Sequence, residues 1–178
     1  TRPFSACAFA PMKSNAIFSS DSRLYVIIDR AAAGSRDLTE IAQAAVRGGA
    51  DILQLRDKQA SARALLREAR RLLPIARAAT IPLIINDRPD VARAAEADGV
   101  HLGQDDLPLK EARAILGPGR LIGISTHTLE QALAADIEQA DYLGFGPIYG
   151  TPTKPDDPPV GLSLIPELAS MVSIPFFC

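Results

Sequence analysis

Polar or ionisable residues directly follow short apolar runs of β-forming residues at four places in this sequence. The polar groups are Gln54, Arg56, Asp57 and Lys58; Asn86 and Asp87; Gln104, Asp105 and Asp106; and Ser125, Thr126 and His127. Parallel strands that lie side by side bring all their carboxyl ends to one rim. The sequence therefore predicts that these groups converge on a single pocket, although they are distant along the chain.

Strand-like and helix-like segments alternate along the chain, which predicts a parallel sheet with right-handed crossovers. Strand-like runs begin near Leu24, Asp51, Leu83, Val100, Leu121, Tyr142 and Ile174. An α/β barrel and an open doubly wound sheet both fit this order. Polar residues after nearly every strand favour the barrel, because an open sheet concentrates its site at one switch point. A Gly-x-Gly-x-x-Gly turn after the first strand is also missing.

Several residues mark expected helix ends. Asp37 with Glu40 and Thr128 with Gln131 have capping-box spacing, and Ser61 can cap the helix between the second and third strands. Pro74 should kink or end that helix, because proline lacks the N–H that an inner turn requires.

The composition excludes several classes of partner. The 178 residues include 19 Lys plus Arg and 21 Asp plus Glu, so charge gives no reason to expect nucleic acid or an anionic membrane. No apolar run approaches the roughly 18 residues of a membrane helix. Cys7 and Cys178 support neither a disulfide framework nor a zinc site, which favours a cytoplasmic protein. We expect a poorly ordered N-terminal extension over residues 1–23 and one domain over 24–178.

Asp87 and Asp106 form the sharpest candidate pair, because each follows a strand and the two units are consecutive. Two carboxylates suit Mg²⁺, which keeps several waters and takes other ligands from substrate phosphates. Arg56 and Lys58 suggest a pyrophosphate clamp beside that metal. The alternative is that Asp87 caps the next helix while both cations are solvated rim charges.

Residues 147–160 contain five prolines together with Thr151, Thr153 and Lys154. A connection of this length without secondary structure is typical of a lid or binding loop. The alternative is a stiff insertion without a role in binding.

Five motifs together resemble the thiamine phosphate synthase family. They are Gln-Leu-Arg-Asp-Lys at 54–58, Ile-Asn-Asp at 85–87, Gly-Val-His-Leu-Gly-Gln-Asp-Asp at 99–106, Gly-Ile-Ser-Thr-His at 123–127, and Asp-Tyr-Leu-Gly-Phe-Gly-Pro-Ile-Tyr-Gly-Thr-Pro-Thr-Lys at 141–154. The resemblance implies an α/β fold of the TIM-type (β/α)8 barrel class. It also implies an Mg²⁺-dependent transferase that joins hydroxymethylpyrimidine diphosphate to hydroxyethylthiazole phosphate and releases pyrophosphate.

The resemblance also implies a role for each matching residue. Asp87 and Asp106 would bind Mg²⁺, and Thr151 and Thr153 would contact the thiazole phosphate. The residues that would hold the pyrimidine diphosphate are Gln54, Leu55, Arg56, Asp57, Lys58, Asn86, Ser125 and Lys154. Arg56, Lys58, Ser125 and Lys154 would also serve catalysis, because the C–O bond breaks first in this family and charge then stabilises the departing pyrophosphate.

The chain departs from the family pattern at its end. The family continues past the seventh strand with an Ile-Gly-Gly turn, an eighth strand and a helix, whereas this sequence stops at Ile-Pro-Phe-Phe-Cys, residues 174–178. We therefore expect a C-terminally truncated barrel of about seven strands with a complete pyrimidine-diphosphate half-site. We expect this polypeptide alone to be poorly active or inactive.

Two other functions remain open. A thiazole tautomerase of the same barrel family would use His127 in proton transfer. An inactive ligand-binding remnant would bind the pyrimidine diphosphate without turnover. His101 lies inside a strand and is interpreted as structural. Small molecules are the expected partners, and the sequence leaves homo-oligomer formation open.

Overall fold

The computed structural model describes residues 24–150 and 158–178, in which seven strands alternate with helices. The strands are β1 (Tyr25–Asp29), β2 (Ile52–Arg56), β3 (Leu83–Asn86), β4 (Gly99–Leu102), β5 (Leu121–Thr126), β6 (Tyr142–Phe145) and β7 (Phe176–Phe177). The α-helices are α1 (Arg30–Ala33), α2 (Leu38–Arg47), α3 (Ala62–Ala79), α4 (Pro89–Ala95), α5 (Leu109–Leu116), α6 (Leu129–Ile137) and α7 (Ile165–Met171), which a 3-10 turn over Leu162–Leu164 precedes.

The seven strands form one parallel sheet in the order of the sequence, and the sheet is strongly curved. The hydroxyl of Tyr25 in β1 lies 2.9 Å from the hydroxyl of Tyr142 in β6. Strands spaced about 4.8 Å apart would place β1 and β6 roughly 24 Å apart in a flat sheet. The rings of Tyr25 and Phe177, in the first and last strands, are 5.2 Å apart. The chain therefore adopts an α/β fold, and the parallel sheet predicted from the alternation of strands and helices is curved into a partial barrel.

Two apolar layers stabilise this curved sheet, because successive strand residues point to opposite faces. Outward-facing residues such as Leu53, Ile85 and Ile122 pack against the helices in a large buried cluster. Inward-facing residues form a smaller cluster of Ile52, Ile84, Leu121 and Tyr142, against which Tyr25 and Phe177 pack. The interior is filled by side chains at the amino-terminal end of the strands, which leaves the carboxyl-terminal rim for polar residues.

An Ala-Asp pair precedes each even-numbered strand from β2 to β6 and fixes its start against the previous strand. The carboxylate of each aspartate accepts a hydrogen bond from the backbone N–H of a residue at the start of the preceding strand. The backbone N–H of the same aspartate donates to the carbonyl of the same residue. The pairs are Asp51 with Leu24, Asp98 with Leu83 and Asp141 with Ile122, with carboxylate distances of 2.9, 2.9 and 2.8 Å. We call this arrangement the strand-start clamp.

Three predicted helix caps are confirmed. The side chains of Asp37, Ser61 and Thr128 each accept a backbone N–H in the first turn of the helix that follows. The expectation that Pro74 ends its helix is wrong, because α3 continues to Ala79. Leu72 and Ala76 on its apolar face are completely buried, and this packing offsets the roughly 3 kcal/mol cost of an inner proline.

The expected N-terminal extension, residues 1–23, lies outside the described residues. Within the described ranges, no helix combines the length and the apolar character that crossing a membrane requires.

Candidate active site

The predicted polar groups meet at the carboxyl ends of the strands. Arg56 and Asn86 are the last residues of β2 and β3, Asp87 follows β3, Asp106 follows β4, and Ser125 lies near the end of β5. Because all strands run in the same direction, these residues share one rim of the curved sheet. Thr151, Thr153 and Lys154 of the predicted lid lie outside the described residues.

Asp87 and Asp106 lie side by side at this rim. Burial, followed by the neighbouring carboxylate of Asp106, raises the pKa of Asp87. Lys58 partly offsets this effect, since its Nζ lies 3.4 Å from Oδ2 of Asp87. Asp87 adopts a left-handed backbone conformation with φ of 61°, which is uncommon for a residue other than glycine. The backbone N–H of Gly103 donates to Oδ2 of Asp106 at 2.7 Å and holds this second carboxylate.

This arrangement fits a magnesium ion. Two half-buried carboxylates that repel each other would be stabilised by a divalent cation between them. Among the residues that the structure describes, no group of three or more His, Cys, Asp or Glu could bind a metal. Mg²⁺ differs from metals that need such a cage, because one or two carboxylates with waters and substrate phosphates are sufficient. The alternative role for Asp87 is not observed, because α4 begins at Pro89 without a side-chain cap.

An ion pair that the sequence did not predict holds Arg56. Its guanidinium donates to Oδ2 of Asp29 at the end of β1, and less than a fifth of either side chain is exposed. The other oxygen of Asp29 accepts the N–H groups of Ala31 and Ala32 at 2.8 and 3.1 Å. Burial acts to raise the pKa of Asp29, but the hydrogen bonds from Ala32 and Arg56 outweigh it and lower that pKa. The signal in the sequence was the position of Asp29, directly after the apolar run of β1.

The remaining predicted residues of the 54–58 motif point in different directions. Gln54 faces the interior, is 2% exposed, and donates from Nε2 to the hydroxyl of Tyr25 at 2.8 Å. Leu55 faces outward and is fully buried among the helices, so only its backbone is left for a ligand. Asp57 accepts the N–H groups of Gln59 and Ala60, each at 3.1 Å, and so shapes the loop after β2.

Ser125 lies beside His101, which reasoning from the sequence had interpreted as structural. Nε2 of His101 is 2.9 Å from Oγ of Ser125, so this inward-facing histidine contacts a predicted site residue. Gln104 donates from Nε2 to the backbone carbonyl of Ser125 at 2.6 Å. The ring of His127 donates through Nδ1 to the carbonyl of Gly146, and its backbone N–H donates to Oε1 of Gln131 at 2.7 Å.

Comparison with known proteins identifies the relationship. A family model described as thiamine monophosphate synthase matches residues 24–178. Thiamine-phosphate synthase of Roseiflexus castenholzii is 52% identical over 85% of this chain and 67% of its own length. The enzyme of the same name from Shouchella clausii is 50% identical over 86% of this chain and 74% of its own length. The chain thus spans about two thirds to three quarters of these relatives.

Solved structures agree with this relationship. Thiamine phosphate pyrophosphorylase from Pyrococcus furiosus superposes with a TM-score of 0.79 at 36% identity, covering 87% of this chain and 73% of that protein. Dihydropteroate synthase from Xanthomonas albilineans, with a TM-score of 0.59 at 19% identity, shares the fold alone. The chain therefore belongs to the thiamine monophosphate synthase family, a family of enzymes.

Proposed function

We propose that this rim binds hydroxymethylpyrimidine diphosphate together with Mg²⁺ and transfers the pyrimidine to hydroxyethylthiazole phosphate, giving thiamine phosphate and pyrophosphate. The observation that carries the proposal is the adjoining pair of Asp87 and Asp106 with Lys58 against it. A pair of acids beside a cation suits a ligand that brings both a diphosphate and a divalent metal. The names of the relatives support the same reaction.

Asp87 and Asp106 are the proposed protein ligands of Mg²⁺. The metal, when bound, would neutralise charge on the diphosphate oxygens. Lys58 would then be shared between Asp87 and a diphosphate oxygen, since its side chain is 53% exposed and can reach outward. Arg56, held by Asp29, would present its remaining donors to the same anion.

The proposed chemistry is dissociative. The C–O bond to the diphosphate breaks, the pyrimidine is left as a carbocation, and the thiazole nitrogen supplies the electron pair for the new C–N bond. Arg56, Lys58 and Ser125 would stabilise the departing pyrophosphate, a task that needs positioned charge and donors. Lys154 is proposed to add a further cation, and Thr151 and Thr153 to bind the thiazole phosphate; all three remain predictions.

We further propose that the complete fold is a closed TIM-type (β/α)8 barrel. The close approach of Tyr25 in β1 and Phe177 in β7 supports this, because the sheet already curls until its first and last strands face each other. The cytoplasmic location and any homo-oligomer remain predictions.

Calorimetry tests the metal-dependent site. Hydroxymethylpyrimidine diphosphate should bind with Mg²⁺ and at least about tenfold more weakly with a chelator, as expected when charge-assisted contacts are lost. Asp87→Asn should abolish the difference between the two conditions. Asp105→Asn is the matched control, because Asp105 is an exposed acid in the loop that carries Asp106, and it should behave as the parent. Unchanged magnesium dependence in Asp87→Asn would refute the metal assignment.

Thiazole tautomerisation is the second candidate, since the Nδ1 contact of His127 with Gly146 leaves Nε2 as the basic nitrogen for proton transfer. The same titrations separate the candidates. Magnesium-dependent binding followed by turnover with the thiazole phosphate supports the synthase, and binding without turnover indicates an inactive remnant. An absence of magnesium-dependent binding favours the tautomerase.

A further inference from the structure

A continuous hydrogen-bonded chain crosses the interior of the partial barrel and ends at Ser125. Gln54 Nε2 lies 2.8 Å from the hydroxyl of Tyr25, which lies 2.9 Å from the hydroxyl of Tyr142. That hydroxyl lies 3.1 Å from Nδ1 of His101, whose Nε2 lies 2.9 Å from Oγ of Ser125. Five different strands contribute these five side chains, so only the curvature of the sheet brings them together.

The amide of Gln54 is the one group in this chain whose role is fixed, and it is a donor. The Tyr25 oxygen therefore accepts from Gln54, and every group in the chain is used once when the Tyr25 hydrogen passes to Tyr142, although a hydroxyl oxygen can also accept twice. If Tyr25 donates to Tyr142, then Tyr142 donates to Nδ1 of His101, which is the unprotonated ring nitrogen in that arrangement. A neutral imidazole then carries its proton on Nε2 and donates it to Oγ of Ser125.

The surroundings are built to keep this chain intact. A Cβ on Gly123 would lie 2.0 Å from Cζ of Tyr142, and a Cβ on Gly144 would lie 3.1 Å from Cε1 of His101. Glycine at these positions therefore leaves room for the two rings. Burial raises the pKa of Tyr25 and also that of Tyr142, so both phenols remain neutral donors.

We propose that this directional chain from Gln54 to Ser125 holds His101 in the Nε2–H tautomer and so turns the Ser125 hydroxyl into a donor for an anionic ligand at the rim. His101 is thus a positioning residue that acts through Ser125. The identity of the ligand rests on the proposed function, whereas the direction of the chain concerns the protein alone. Bonds in such a series polarise one another, which strengthens the last donor.

This polarity distinguishes the Ser125–His101 contact from a nucleophile and its general base. A histidine that donates to a serine oxygen has no free lone pair with which to take the serine proton. Ser125 keeps its hydrogen and offers it to an acceptor. The contact therefore agrees with a reaction in which serine binds the departing anion and makes no covalent bond.

Nitrogen-15 NMR of the ligand-free protein tests the direction of the hydrogen bonds. The sequence contains two histidines, and a His127→Gln variant assigns the signals of His101. At about pH 7.5, roughly one unit above the ordinary imidazole pKa, His101 should show a protonated Nε2 and an unprotonated Nδ1. His127 should show the opposite tautomer, because its Nδ1 donates to a carbonyl. A protonated Nδ1 on His101 would overturn the proposal.

A conservative variant tests whether the chain sets the tautomer. Tyr142→Phe keeps the ring but removes the hydroxyl that donates to Nδ1, so His101 should become a mixture of tautomers. Tyr149→Phe is the matched control, because Tyr149 is 70% exposed, and it should leave His101 unchanged. Thermal unfolding confirms that both variants are folded. A single Nε2–H tautomer in folded Tyr142→Phe would contradict control by the chain.

A double-mutant cycle of binding affinities tests whether the Tyr142 hydroxyl influences ligand binding through Ser125. Tyr142→Phe should weaken magnesium-dependent binding of the pyrimidine diphosphate by up to about tenfold, the effect of one hydrogen bond. In a Ser125→Ala background the same substitution should cost nothing further. Equal losses in both backgrounds would refute transmission through Ser125. Binding by none of these proteins, together with the expected tautomer, would refute the proposed function and leave the direction of the chain established.

Discussion

Asp87 occupies a position that lowers the stability of the folded protein. Its backbone is left-handed, its side chain is half-buried, and the carboxylate of Asp106 adjoins it. Burial and like charge each disfavour the ionised form. Lys58 offsets only part of this unfavourable effect, so ionised Asp87 destabilises the folded protein, and a bound cation would remove that destabilisation.

Asp87→Asn should consequently raise the free energy of unfolding when no metal is present. A folded-state pKa above the ordinary value of 3.8 means that ionised Asp87 destabilises the fold. The advantage of the variant should be absent below pH 3.8 and should grow as the pH rises through the raised pKa of Asp87. Urea unfolding with a chelator, from about pH 3 to about pH 8, measures this stability advantage, and Asp105→Asn is the control. A variant less stable than its parent at neutral pH would contradict this expectation.

Gly123 shows a second residue-scale constraint, which is steric. A Cβ there would overlap the ring of Tyr142, so Gly123→Ala should lower the free energy of unfolding by about 1–3 kcal/mol or more. Gly150→Ala is the control, since a Cβ there meets nothing within 4 Å. Urea unfolding measures both, and equal effects would show that the interior tolerates the added methyl group.

At the scale of elements, the strand-start clamp explains how each even-numbered strand keeps its register. Asp98 is half-buried, and burial raises its pKa despite the hydrogen bond from Leu83. The role of the aspartate is thus to accept a backbone N–H, for which a neutral amide oxygen would also serve. The repeated Ala-Asp pairs were visible in the sequence, but their partners were not.

Asp98→Ala should destabilise the protein by about 1–3 kcal/mol, because it leaves the N–H of Leu83 without its acceptor. Asp98→Asn should lose less stability, because its amide oxygen can still accept the N–H of Leu83. Hydrogen exchange at the Leu83 amide supplies the local measurement, with Asp105→Ala as control. Unchanged protection of Leu83 in Asp98→Ala would mean that the carboxylate does not hold the start of β3.

Element boundaries illustrate where local signals suffice. Asp37, Ser61 and Thr128 cap their helices as predicted, because capping depends on atoms only two or three residues away. Pro74 was predicted to kink or end its helix, and it does not end it, because burial of α3 outweighs the local cost of an inner proline.

At the scale of the whole molecule, aromatic side chains join the ends of the sheet. Phe177 in β7 packs 5.2 Å from the ring of Tyr25 in β1 and 6.0 Å from that of Tyr142. Residues about 150 positions apart in sequence thus stabilise one curved interior. Among the described strands β7 pairs with β6 alone, so side-chain contacts and not backbone hydrogen bonds connect β7 to β1.

Phe177→Ala should therefore reduce stability across the sheet. We expect a loss of about 1–3 kcal/mol, below the 3–5 kcal/mol typical of fully buried phenylalanine, because Phe177 is half-buried. Amide protection should fall in β1 more than in β4. Leu162→Ala, at a side chain that is 57% exposed, is the control. Hydrogen exchange that leaves β1 unaffected would show that this contact does not join the two ends.

The amino-acid sequence alone determined the family, the order of parallel strands, and the placement of polar residues at their carboxyl ends, because these depend on local periodicity and on motifs within short segments. Only the tertiary structure decided that Gln54 faces the interior while Leu55 does not, that Asp29 holds Arg56, and that His101 reaches Ser125. Those contacts depend on strand register and on sheet curvature, which bring together residues that no local pattern connects.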